Sequence, residues 1–353
     1  MDWKESLWPE WKIVSLLGEG AYGKVYKIER HDIGGTYYAA LKVVSFPRDE
    51  EEKELFRRTE QEKQKWTQHY HNCAETLARE FSVMERLKGN TNIVSYEDHK
   101  LVPHKNGIGY DVLIRMELLE TLPEYLARTK CDEKLATKLG IDICNALILC
   151  EKEKIIHCDV KPGNIFVSNY GDFKLGDFSI AHIVDQLKKE QGALGTYQYI
   201  APEVCQGKGF NPTVDTYALG LIMYRILNKG MGPFLALPPE KLTVKDVEYA
   251  NMRRLNGEEF NKPIHASMGM TGIIFKACSY RKEERYSSAL KMKKALERSS
   301  IFQIPAYIVN YITKADESKS ADVEEISVDI DEEIKEEKDK AGMEEFFEPA
   351  GEL

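Results

Sequence analysis

Twelve residues constrain this chain more than any others. Ile155-Ile156-His157-Cys158-Asp159-Val160-Lys161-Pro162-Gly163-Asn164-Ile165-Phe166 puts an Asp, a Lys and an Asn within six residues, between two apolar segments. Thirteen residues after Asn164 comes a second acidic element, Leu175-Gly176-Asp177-Phe178-Ser179. A carboxylate able to take a proton from a hydroxyl, a lysine beside it, and an amide and a second carboxylate able to hold a metal suit the transfer of a phosphoryl group.

The two stretches resemble the catalytic loop and the metal-binding motif of the eukaryotic-type protein kinase family, HRDxxxxN and DFG in the family pattern. Cys158 stands where the family usually has Arg, and Ser179 where it usually has Gly. The resemblance implies an α+β, bilobal protein kinase fold: a small β-rich N-lobe with helix C, and a larger, mainly helical C-lobe. It implies a serine/threonine protein kinase using ATP with Mg2+, or Mn2+ in its place. Asp159 then orients and deprotonates the substrate hydroxyl, Lys161 holds the γ-phosphate, and Asn164 and Asp177 bind the metal. Lys161, rather than the Ala-Ala-Arg pattern of tyrosine kinases, implies protein substrates with Ser or Thr acceptors. The family's Arg gathers a phosphate on the activation segment, which a thiol cannot do, so Cys158 implies activity without that phosphate. Ser179 tolerates fewer backbone torsions than Gly and points to slower transfer. The rival is a nucleotide-binding scaffold with weak or no transfer. A small-molecule kinase of similar fold is a third reading, against which Thr196 and the Ala201-Pro202-Glu203 motif weigh.

Composition narrows the partners. Hydrophobic content of 42% and charged content of 30% are ordinary for a soluble globular chain, and 353 residues suffice for one large domain or two lobes. The net charge of -9 is uneven: residues 314–353 hold 16 acidic and 5 basic residues. The rest holds 44 basic and 42 acidic residues and is near neutral, which argues against a nucleic-acid-binding domain. Seven cysteines show no CxxC pair and no Cys/His metal spacing, the pattern of reduced thiols. The start Met1-Asp2-Trp3-Lys4-Glu5 lacks the apolar core of a signal peptide, and no run approaches the roughly 18 apolar residues of a membrane span. A cytoplasmic protein without a membrane span is expected.

Nearer the amino terminus, Trp11 to Leu17 alternates loosely and predicts a strand. Gly18-Glu19-Gly20-Ala21-Tyr22-Gly23 follows, then a second strand from Val25. Glycines there allow a tight turn that brings backbone N–H groups close to phosphates. An ordinary hairpin turn has the same pattern. A Walker loop would need Ser or Thr after Lys24 and then a helix, and a dinucleotide fingerprint also needs a helix; Val25 opens a β-branched run instead. The resemblance makes the loop a lid over ATP, with Leu17, Gly18, Gly20, Gly23 and Val25 at the nucleotide. Tyr38 to Val44 is similar to the family's third strand, with Ala40 at the base and Lys42, 19 residues after Gly23, on the α/β phosphates.

Residues 47–90 run longer than the family minimum, and Pro47-Arg48-Asp49 can start a helix. Trp66, Tyr70, Cys73, Leu77, Phe81 and Met84 recur at spacings of three and four, one face of a long helix or of two in series. The C-terminal part resembles helix C and implies Glu80 as the ion-pair partner of Lys42. Glu75 and Glu85, each five residues away, point elsewhere on the helix. The insertion at about 47–76 is either a solvated charged helix or a surface for a regulatory partner.

Val112 to Leu119 resembles the strand and hinge at the adenine site, with Met116 as gatekeeper and backbone groups of Glu117 and Leu119 at adenine. Val25, Ala40 and Phe166 sandwich the base in this scheme, and ordinary core packing is compatible with it. Leu135, Leu139, Ile143, Leu147 and Cys150 mark an amphipathic helix under the catalytic loop. Gly195 to Glu203 resembles the end of the activation segment, with Thr196 contacting Asp159 and Lys161. Glu203 is implied to pair with Arg285, and Asp215 to anchor the catalytic-loop backbone.

The resemblance covers about residues 11–299: an N-lobe of about 11–116 and a C-lobe of about 120–299, after an extension of residues 1–10. Residues 300–313 are apolar and either pack back on the domain or bind a partner. Residues 314–353 are acidic and poor in aromatics, so disorder is expected, as a solubilising tail or as a regulatory one with Ser318, Ser320 or Ser327 as phosphoacceptors.

Overall fold

Alternating side chains build the first layer. In β3 (Gly35–Phe46), Ala40, Lys42 and Val44 face one side and Ala39, Leu41 and Val43 the other. With β1 (Lys12–Gly20), β2 (Gly23–Asp32), β4 (Tyr96–Pro103) and β5 (Tyr110–Glu117) it forms an antiparallel sheet of order β1-β2-β3-β5-β4. The computed structural model describes residues 3–20, 23–47, 60–105, 109–178 and 198–301. The side chains of residues 5, 6, 60–63, 66, 73–80, 83, 300 and 301 are outside the described set. Ser179 and Thr196, residues 48–59 of the insertion, the apolar segment from 302 and the acidic tail also lie outside it.

Both faces of the sheet are covered. On one, Trp8 and Trp11 pack against Ile28, Ala39, Leu41, Val43 and Leu113. Trp8 donates Nε1–H to Asp98 Oδ2 at 2.7 Å, and the Arg115 guanidinium lies 4.7 Å from one indole and 5.1 Å from the other. Trp8, with Trp3 and Leu7 packed against the same cluster, thus brings the described part of the amino-terminal extension into the N-lobe core. On the other face lies α1 (Glu60–Leu87), one continuous helix and not two in series. Tyr70 and Phe81 from the predicted apolar face are buried against Val44, Phe46, Val112 and Ile114. Those of Trp66, Cys73 and Leu77 fall among the side chains not described.

The described parts of the glycine run are strands, on both sides of residues 21–22. Gly20 pairs with Gly23, and β2 follows at once, so neither a Walker loop nor a dinucleotide turn forms. Gly23 has φ +125°, and a Cβ there would lie 2.1 Å from the Val43 carbonyl oxygen. Only glycine allows the start of β2 to lie this close to the β3 backbone beside it.

The second lobe is helical around α5 (Thr213–Ile226), which is apolar nearly all round and buried from Val214 to Tyr224. Around it lie α3 (Glu133–Lys152), α7 (Met268–Ala277) and α8 (Ala289–Ile301). Asp132 caps α3 by accepting from Leu135 N, and Leu139, Ile143, Leu147 and Cys150 turn inward as their spacing predicts. Gly220 admits α7: a Cβ there would lie 2.7 Å from Cys278 Sγ. The short strands β6 (Glu120–Thr121), β7 (Ile165–Val167) and β8 (Phe173–Leu175) form a second sheet, with α2 (Leu122–Arg128) leading away from β6. The two lobes are stitched where Ile93 pairs with Leu175 in a parallel bridge, with Val94 N donating to Leu175 O and Leu175 N to Asn92 O. No described helix is long and apolar enough to cross a membrane. The fold is the α+β, two-lobed arrangement expected.

Glu203, in α4 (Pro202–Cys205), meets Arg285 as expected. Both carboxylate oxygens accept from the guanidinium at 2.7 Å, Nε donates to Ser279 O at 2.8 Å, and Tyr217 lies beneath at 4.5 Å. Burial would raise the Glu203 pKa, but the Arg285 hydrogen bonds and charge outweigh it and hold it below its usual range. Arg285→Ala leaves a buried carboxylate unpaired, so urea unfolding at pH 7 should show a loss of about 3–5 kcal/mol. A loss below about 1 kcal/mol, the scale of an exposed pair, would contradict this.

Candidate functional site

The site is built up from α5. Asp215, in its first turn and buried, accepts from His157 N (Oδ2, 2.8 Å) and Cys158 N (Oδ1, 2.8 Å). These bonds hold Cys158 at φ 62°, a left-handed conformation unusual for a residue with a side chain. His157 is buried and works in both directions: Nδ1 accepts from Asp159 N at 3.3 Å, and Nε2 is 3.0 Å from Gly176 O. That network assigns the proton to Nε2. His157 thereby ties the loop before Asp159 to the turn before Asp177.

Asp159, Lys161 and Asn164 come together as predicted. Lys161 Nζ donates to Asp159 Oδ2 at 2.5 Å, and Asn164 Nδ2 to Asp159 O and Oδ2, both at 2.9 Å. Gly176 N donates to Asn164 O at 2.9 Å and brings the second motif alongside. Asp177 also adopts a left-handed backbone, φ 65°. Its Oδ1 accepts from Lys42 Nζ at 2.5 Å, so a lysine of the first lobe meets a carboxylate of the second. Burial would raise the Asp177 pKa; the charge and hydrogen bond of Lys42 outweigh it, and the carboxyl is held below its usual range. The expected partner of Lys42, Glu80, lies on α1, but its side chain is outside the described residues, as is Thr196.

Between the lobes is a cavity of about 240 Å³. Leu17, Gly18, Val25, Ala40, Lys42, Met116, Glu117, Leu119, Phe166, Asn164 and Asp177 line it, all of them among the predicted residues. Gly20 and Gly23 are not in the lining, and Asp159 and Lys161 join through Asn164. The cavity runs deeper than the sequence suggested, past Met116 to Met84, Ile93, Tyr96 and Phe178. The Glu117 carboxylate is occupied at the lobe junction by Ser95 N and Lys174 Nζ, so its side chain is structural.

The unengaged oxygens fit a hard cation. The Asn164 side-chain oxygen and Asp177 Oδ2 have no partner among the described residues, and both residues line the cavity. No described cluster of three His, Cys, Asp or Glu could hold an ion alone. One carboxylate plus one amide is the donor set of an ion that shares its remaining positions with phosphate and water.

Two arginines at the site have no signal in the sequence. Arg225 Nη1 donates to Gln198 Oε1 at 2.8 Å, and Arg254 Nη1, from α6 (Val244–Leu255), to Ile200 O at 2.8 Å, so both hold the strip before α4. Nothing in the sequence pairs these positions. The role of His157 could have been inferred from its place two residues before Asp159.

A family model for the protein kinase domain matches residues 11–299. Among curated proteins, the chain is 30% identical over 227 residues to serine/threonine-protein kinase dkf-2 of Caenorhabditis briggsae, covering 62% of this chain and 16% of that one. It is 26% identical over 288 residues to the Aurora kinase of Saccharomyces cerevisiae, covering 78% and 68%. With serine/threonine-protein kinase PknB of Mycobacterium leprae it shares 33% over 186 residues, covering 52% and 29%. The chain thus spans only a minor part of the first and third of these relatives.

The depressed pKa of Asp177 sets a pH dependence. A carboxylate stabilised this way contributes above its unfolded pKa, about 3.9, and the contribution is lost as pH falls through the lower folded value. Lys42→Met removes the countercharge. The stability gap between native protein and Lys42→Met should therefore be widest above about pH 4 and narrow in acid. Urea unfolding at pH 7 and pH 3 measures it; an equal gap at both would contradict the pairing.

Proposed function

The chain belongs to the protein kinase family, and on that premise we propose that it is a serine/threonine protein kinase that passes the γ-phosphoryl group of ATP to Ser or Thr hydroxyls of proteins. One observation carries this. Asp159, Lys161 and Asn164 share one hydrogen-bonded cluster, joined through Gly176 to the Asp177–Lys42 pair at the wall of the same cavity.

Each residue has a task suited to its surroundings. Asp159 Oδ2 is occupied by Lys161 and Asn164, while Oδ1 meets no donor among the described residues. Oδ1 is therefore the atom to accept a hydrogen bond from the acceptor hydroxyl and take its proton. Lys161 sits where it can follow negative charge from the carboxylate to a phosphate. Lys42 anchors phosphates from the opposite lobe. Val25, Ala40 and Phe166 offer apolar surfaces to the base, with backbone groups of Glu117 and Leu119 at its edge. Mg2+ or Mn2+ would be held by Asn164 and Asp177, and when bound it neutralises phosphate charge. Regulatory partners on the insertion or the acidic tail belong to this proposal as well.

Cys158 bears on regulation. Asp215 Oδ1 holds its backbone N–H at 2.8 Å, and its Sγ donates to Ile156 O at 3.6 Å. The catalytic loop can therefore be ordered with no phosphate to gather. Phosphatase-treated protein should keep its transfer rate; an inert dephosphorylated form revived by one phosphate within residues 179–200 would contradict this.

Incubation with labelled ATP, Mg2+ and a protein acceptor tests the assignment. Asp159→Asn should lower the rate by about 10²–10⁴ while ATP binding persists. A wild-type chain that binds ATP and transfers nothing would instead be the nucleotide-binding scaffold.

A further inference from the structure

Charge at the far end of α5 bears on which substrates are taken. Arg225, in its last turn and half-buried, is held by neutral groups alone. Nε donates to Gly230 O at 3.1 Å, Nη1 to Gln198 Oε1 at 2.8 Å, and the guanidinium lies over Tyr199, 5.5 Å from the ring centroid. Arg115, Arg128, Arg253 and Arg285 are each matched with a Glu; among the described residues no carboxylate meets Arg225. Its Nη2 has no described acceptor and is not among the buried unpartnered nitrogens, so it reaches solvent. Lys229, exposed and next to Gly230, adds a second cation. A planar guanidinium fixed by packing, with one free edge and no counterion, suits a carboxylate.

Its position relates it to the reaction. Asp215, in the first turn of the same helix, bonds the backbone just before Asp159. Ten residues of helix set Arg225 about 15 Å along the axis from that anchor, a span of roughly five residues of extended peptide. The strip that Arg225 braces, Gln198 and Tyr199, leads directly to Ala201 and α4.

We propose that Arg225 determines substrate specificity: it binds an acidic side chain of the substrate peptide within about five residues of the accepting Ser or Thr, and its uncompensated charge disfavours basic residues there. The proposal rests on the kinase assignment above.

Two peptides test it, each with one Ser, differing only in Asp or Lys at the flanking positions. With the full chain, ATP and Mg2+, kcat/KM should favour the Asp peptide by about tenfold or more. Arg225→Glu should reverse the preference, and Arg225→Lys should retain part of it. If Arg225 only braces the loop, substitution lowers both rates alike and leaves their ratio unchanged, which overturns the proposal. Fluorescence anisotropy with the same peptides carrying Ala for Ser reads the subsite without transfer. Tighter binding of the Asp peptide, lost in Arg225→Glu, supports the subsite even if no phosphate moves, in which case only the kinase assignment fails. Equal binding of both peptides to the native chain overturns the subsite.

Discussion

Asp215 gives the loop from His157 to Asn164 its shape. Its two oxygens take two consecutive backbone N–H groups, at His157 and Cys158, and the chain turns through a left-handed residue at that point. A conformation of that kind costs on the order of 1–3 kcal/mol and persists only where surrounding structure over-determines it. The over-determination comes from α5, whose burial on all sides gives Asp215 a fixed platform. From that platform His157 reaches Gly176, Asn164 reaches Asp159, and Gly176 reaches back to Asn164. The polar groups proposed for catalysis thus rest on a core that contains none of them.

The second constraint is the closure of one lobe on the other. Lys42 is nearly buried in the first sheet, and its described partner is Asp177 across the cleft. The Ile93–Leu175 bridge fixes the same junction through backbone bonds. Asp177 is therefore held from both sides, by an ion pair in front and a strand pairing behind. Its left-handed backbone carries the following residue, Phe178, against His157, at 4.8 Å between rings. The following Ser179, where family members usually have Gly, lies outside the described residues.

Local pattern made much of this legible. Glycines followed by a β-branched run at Val25 excluded two rival phosphate loops, and β2 begins at Gly23. Spacings of three and four in residues 66–84 anticipated α1, and those of residues 135–150 anticipated α3. Asp215 and the Glu203–Arg285 tie came only through the resemblance, because partners 58 and 82 residues apart leave no periodic trace. What stayed hidden depends on tertiary packing alone. Trp8 and Trp11 as the cover of the sheet, the depth of the cavity behind Met116, and Arg225 and Arg254 on the strip 198–200 have no local signature. The left-handed torsions at Cys158 and Asp177 were equally invisible, since neither residue is glycine.

In the proposed assignment, Asn164 and Asp177 point their unengaged oxygens at one cation beside a nucleotide. Diffraction from crystals grown with Mn2+ and a non-hydrolysable ATP analogue, at a wavelength where manganese scatters anomalously, tests it most directly. An anomalous peak is expected between the Asn164 amide oxygen and Asp177 Oδ2, with Lys42 within hydrogen-bonding reach of the same nucleotide. A peak elsewhere, or a nucleotide bound with these two side chains facing away from it, would contradict the assignment of Asn164 and Asp177 as metal ligands.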